Sequence, residues 1–148
     1  MSKLESALVQ IRDVIQKSSY FKDMPVYFDD SEMNPNIKLP AISFKVGNVE
    51  VEDPNPTCTT YRRSIEIRLH TKELDKRRLQ SQLYDYEEQM IEVINNARIV
   101  NDFDFEIALE GCDGIAALLW NARNDGTTRN NTFFSNILRM RFRLGVTI

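Results

Sequence analysis

From Leu138 to Ile148 the chain alternates strictly between apolar and polar residues. Side chains in a strand point to opposite faces with period 2, so Leu138, Met140, Phe142, Leu144, Val146 and Ile148 share one face. Arg139, Arg141 and Arg143 then project as a row from the other. The last acidic residue is Asp125, so everything after it carries only arginine charge. The pattern demands a sheet with a buried apolar side, and it suggests a polar side that meets something. No comparably sharp catalytic signal occurs elsewhere.

A length of 148 residues fits one domain over 1–148, with a core large enough to need neither metal nor disulfide support. A net charge of −3 excludes a generally basic nucleic-acid binder, though not a local basic face. Ile115–Trp120 is the longest apolar run and is far too short to span a bilayer, so no membrane partner is expected. Glu5 and the lack of an uninterrupted apolar stretch argue against a secretory signal. Cys58 and Cys112 read as two free thiols in a reducing cytoplasm rather than a disulfide framework.

Leu4, Ala7, Leu8, Ile11, Val14 and Ile15 recur at helical spacing, and Ser2 with Glu5 has the spacing of a capping box. A short strand at Val26–Phe28 follows, then an irregular polar stretch from Asp29 to Asn36. Ala41–Glu52 alternates through Ile42, Phe44 and Val46, with Gly47-Asn48 as a bulge or a turn and Asp53-Pro54-Asn55-Pro56 as its end. Thr59–His70 sets Tyr61, Arg63, Ile65, Ile67 and Leu69 against Arg62, Ser64, Glu66, Arg68 and His70. A second helix, Glu73–Ala97, carries the stripe Leu79, Leu83, Tyr86, Met90, Val93 or Ile94, and Ala97, with Asn95-Asn96 beginning its exit. A strand over Phe103–Glu110 opposes Phe103, Phe105, Ile107 and Leu109 to Asp104, Glu106, Ala108 and Glu110. Gly111–Gly114 reads as a turn. Ile115–Arg123 is apolar on both faces, which fits a central strand or a short buried helix. A polar loop, Asp125–Asn131, precedes the last strand. The order helix, three strands, helix, three strands predicts an α+β domain: a mostly antiparallel sheet of five to six strands with two helices packed on one side.

Chemistry is sparse. His70 is the sole histidine, and nothing places Cys58 or Cys112 beside it with an orienting acid. Cys58, His70 and Cys112 match no zinc spacing. Asp104, Glu106 and Glu110 resemble the acidic strand of a metal-dependent nuclease, but no lysine follows within the strand, and alternation alone puts acids on a wet face. Single, scattered glycines form no phosphate cradle. The expectation is therefore a non-enzymatic chain with no catalytic residue, cofactor or metal. The candidate interface residues are Arg62, Arg68, Arg139, Arg141, Arg143, Asp104 and Glu106. Three readings stay open for them: arginines pairing across strands with Asp104, Glu106 and Glu110, a protein interface, or contact with nucleic-acid phosphate. Phe142 and Met140 fall on the opposite face, so no aromatics interleave with the arginines for base stacking.

Taken together, Leu4–Ile15, Ala41–His70, Glu73–Ala97, Phe103–Ile148 and the polar loops Asp29–Lys38 and Asn124–Asn131 resemble the tail-terminator (tail-completion) proteins of tailed bacteriophages. The resemblance rests on length, element order and loop style. It implies a small α+β subunit forming a homo-oligomeric, hexameric ring that caps the tail tube, ends its growth and joins the tail to the head. Implied partners are the tail tube protein and a neck or head-completion protein, with DNA only passing through the ring. The implied location is the virion tail, assembled in the host cytoplasm. A neighbouring neck or head-completion subunit, or a small nucleic-acid-binding module using its arginine-bearing face, is the alternative.

Overall fold

A computed structural model describes residues 2–29, 40–55, 58–72, 76–122 and 131–147. The first helix, α1 (Lys3–Lys17), starts where the capping box predicts: the Ser2 hydroxyl oxygen accepts from the Glu5 N–H at 3.1 Å and donates to the Glu5 carboxylate at 3.0 Å. Its buried stripe is Ala7, Leu8, Ile11 and Ile15. After it comes a two-residue strand, β1 (Val26–Tyr27), then β2 (Ala41–Asn55), β3 (Cys58–Lys72), the second helix α2 (Lys76–Ile99), β4 (Glu106–Ala122) and β5 (Asn131–Thr147). The strands form one five-stranded sheet in the order β1-β2-β3-β5-β4, with only the β1–β2 pair parallel. This is the expected α+β class.

Both helices contribute to one core on one face of the sheet. Ile42 and Phe44 of β2, Ile65, Ile67 and Leu69 of β3, Ile107 of β4, and Leu138, Met140, Phe142 and Leu144 of β5 are buried with the α1 stripe and with Leu83, Tyr86, Met90 and Ile94 of α2. The β5 alternation thus works as its spacing requires. Phe21, fully buried between α1 and β1, joins an aromatic cluster with Tyr20 and Tyr86, at ring separations of 4.8 Å (Tyr20–Phe21) and 5.8 Å (Tyr20–Tyr86).

Four expectations are corrected. Gly111–Gly114 is not a turn, because β4 runs through it unbroken. Register shifts between Leu109 and Gly111 and between Asp113 and Ala116 absorb the glycines as irregularities of the ladder, and the two strands expected there merge into one. Ile115–Arg123 does not build a central strand; its residues to Ala122 lie on β4, at the edge of the sheet. Nor does Asp53-Pro54-Asn55 end β2, for Pro54 pairs with Thr59 inside the hairpin. β1 covers only Ile42 and Ser43, so among the described residues β2 is an edge strand beyond them, where a missing N–H is tolerated. Finally, α2 passes Asn95-Asn96, which face solvent, and stops two residues beyond Ala97. Its stop signal is Asn101 in the left-handed region (φ 58°), with Asp102 N–H donating to Ala97 O at 2.9 Å and Asn101 N–H to Arg98 O at 3.3 Å. The expected start of α2 at Glu73 and the polar loops over 30–38 and 124–130 lie outside the described residues.

Phe142 is 1% exposed in the middle of the core, so Phe142→Ala is expected to lower stability by about 3–5 kcal/mol in a urea titration. Tyr86 supplies a pH dependence. Burial pushes its phenol above the usual value of 10.0, nearby Tyr20 adds to the rise, and a hydrogen bond with Thr71 partly opposes it. The folded state then holds a proton that the unfolded state loses. Stability is therefore full below pH 10 and falls above it, by at most about 1.4 kcal/mol per pH unit from this group. In Tyr86→Phe the alkaline fall should be shallower, read from melting temperature against pH.

Candidate interaction face

On the sheet face opposite the helices, the strand registers arrange the charged residues in rows. One row runs Ser43, Arg68, Arg139 and Asp113; the next Lys45, Glu66, Arg141 and Gly111; the next Ser64, Arg143 and Ala108. A fourth joins Glu50, Arg62, Gly145 and Glu106. The β5 arginines thus form a column between acid-bearing strands.

Part of that column is engaged within the chain. Arg143 makes an ion pair with Glu110. Arg68 meets Glu66 on its own strand, Nη2 to Oε2 at 2.8 Å and Nε to the same oxygen at 2.9 Å. Arg139 Nε is shielded from solvent and has no acceptor among the described residues. Arg141 is exposed and stands in the middle of the face. Arg62, half-buried, lines a groove of about 830 Å³ over the start of β4, together with Arg98, Phe103, Phe105, Glu106 and Arg143. Of the expected interface set, five arginines and Glu106 therefore share one side of the sheet.

Asp104 does not join them. It precedes β4 and is clamped to α1: Gln10 Nε2 donates to its Oδ1 at 2.9 Å, and its own N–H donates to Gln10 Oε1 at 3.1 Å. The α2 cap and this clamp hold residues 103–105 in the connection, so the alternation expected from Phe103 starts as a strand only at Glu106. Nothing in the local sequence marks Gln10, which lies 94 positions from its partner, as a ligand for that acid.

His70 also differs from a solvated strand residue. It is 6% exposed, and its Nε2 lies 2.8 Å from the Oγ of fully buried Ser43. The arrangement satisfies two buried polar groups. Sequence reasoning found the histidine but not the serine, because the pairing depends on β2–β3 register. At Gly47, a Cβ would lie 3.0 Å from Ser64 O, so a side chain at this bulge would press on the facing strand, and Arg63 Nη1 donates to the Gly47 carbonyl at 3.3 Å. Cys112 is half-buried, whereas the Cys58 side chain lies outside the described residues. Among the described residues no group of three or more His, Cys, Asp or Glu side chains could hold a metal ion. No helix among them is long and apolar enough to cross a membrane.

No protein-family model matches the chain, and no curated protein matches it.

The energetic contrast between the two kinds of polar pair is testable. Ser43→Ala strips a partner from a buried imidazole and should cost about 1–3 kcal/mol in a denaturant titration. Glu110→Gln weakens a partly exposed ion pair and should cost about 1 kcal/mol or less.

Proposed function

We propose that the chain is a structural ring subunit of a phage or phage-like tail, capping the tail tube and presenting a docking surface toward the neck. The observation that supports this best is the division of labour between the sheet faces. One face is taken by both helices and the core, while the other carries five arginines in rows with carboxylates. Arginine suits bidentate pairing with a partner's carboxylates, and a mosaic of both signs fixes register between subunits more than it adds affinity. Met140 and Phe142, which alternate with Arg139, Arg141 and Arg143 along β5, are buried on the other face, so no aromatic stands between these three arginines for base stacking, which favours a protein partner over nucleic acid.

Arg141→Glu combined with Arg143→Glu tests the reading without disturbing the shielded Arg139. Both positions are partly or largely exposed, so far-UV dichroism should be unchanged and stability should shift by about 1 kcal/mol or less. Added to polymerising tube protein of the same particle, the parent should limit tube length and appear as a terminal ring by negative stain. The double variant should leave tubes uncapped. A parent without effect on tube length overturns the reading, as does steeply salt-dependent DNA binding that the same variant abolishes.

A further inference from the structure

Along α2 the acids Asp85, Glu88 and Glu92 follow one another at spacings of three and four, so they stand in line on one side of the helix, and all three are exposed. That side lies opposite the buried stripe of Leu83, Tyr86, Met90 and Ile94, which makes it the outer crest of the helix layer. From Leu79 to Ala97 the helix contains no basic residue, so none of the three acids has one three or four positions away. Like charges stacked at these spacings repel and weaken the helix that carries them. The helix layer thus bears a negative ridge that its own helix does nothing to neutralise.

The β5 arginine column is its complement. Arg141 and Arg143 share one face two residues apart, about 6.8 Å along the strand, and Glu88 and Glu92 are about 6 Å apart along the helix axis. Directly across from the two arginines on β4 stand Gly111 and Ala108, so at these positions the column is approached over small residues. Arg141 Nη2 lies 3.4 Å from where a Cβ on Gly111 would be, so its guanidinium leans over the glycine. Arg143 holds Glu110 through Nε, and a guanidinium carries further donors on its Nη atoms, so a pair within the chain does not exhaust it. Ridge and column cannot meet inside one molecule, because the helices and the arginines lie on opposite faces of the sheet.

We propose that the acidic ridge of α2 docks on the β5 arginine column of a second copy of this chain, with Glu88 and Glu92 pairing with Arg141 and Arg143. A second copy is the occupant the charge pattern selects, since every molecule carries both surfaces with opposite sign and matching spacing. The contact is heterologous, of the kind that closes into a ring. It rests on the ring reading and deepens it by naming the surfaces that join neighbouring subunits. Charge pairs hold the copies together, so added salt weakens the contact.

The test is sedimentation velocity on the isolated full chain, at about 0.01 M and about 1 M ionic strength, with dichroism as a fold control. The parent should gain mass with concentration at low salt and lose that association at high salt. Arg141→Glu with Arg143→Glu reverses the column, and Glu88→Arg with Glu92→Arg reverses the ridge. Each pair alone sets like charge against like and should weaken association by about tenfold or more. All four substitutions in one chain, or an equimolar mixture of the two variants, set opposite charges together again and should restore it. A parent that stays monomeric to about 1 mM at low salt overturns the contact. So does a ridge variant that associates like the parent, or a fourfold variant that stays apart. If the column variant fails to fold, the ridge variant carries the test alone. A ridge variant that still caps tubes overturns the contact and leaves the ring reading standing. A parent that associates as described but never limits tube length does the reverse.

Discussion

The register of β5 is the constraint on which the rest of the structure depends. It lies between β3 and β4, and its apolar residues form the centre of the core while its arginines face away. Sliding the strand by one residue would drive Arg139, Arg141 and Arg143 under the helices and expel Met140 and Phe142. Burying three guanidinium groups without partners is far costlier than any surface pairing could offset, so only registers that keep this facing are admissible, and packing of Met140 and Phe142 against the helices selects among them. That register then dictates which carboxylates meet which arginines on the other face. The ion pair between Arg143 and Glu110 follows from the core, not the reverse.

Much of the fold was legible because it rests on short-range periodicity. The α1 stripe with its Ser2 cap, the β5 alternation and the α2 stripe each need only a few neighbouring residues to be read. What resisted reading depended on position in the sheet. Pro54 looks like a strand breaker until β2 is known to be an edge. Gly111 and Gly114 look like a turn until the bulges against β5 account for the extra residues. The apolar segment from Ile115 reads as a central strand by composition, yet it lies at an edge, because composition reports the need for cover and not what supplies it.

The interaction face was legible to a similar degree. Its arginines could be assigned to one side from alternation alone, and five of them are there. The acids were less secure, since placing Asp104 required knowing that Gln10 would capture it from a different element. The enclosure of His70 with Ser43 was likewise invisible, because it joins two strands through a register that no local pattern encodes.

The order of the strands also shapes how the chain reaches this structure. β2–β3 and β4–β5 are hairpins whose partners are near neighbours in sequence, whereas β3 and β5 meet across roughly 60–90 intervening residues that include all of α2. Their short sequence separation predicts that the two local hairpins form first and that docking along the β3–β5 seam, which completes the core, is the slower step. Until that closure, both seam edges present unpaired backbone beside apolar side chains. The protein's greatest exposure to misassembly therefore comes between hairpin formation and closure, when like edges from different molecules compete for the same ladder.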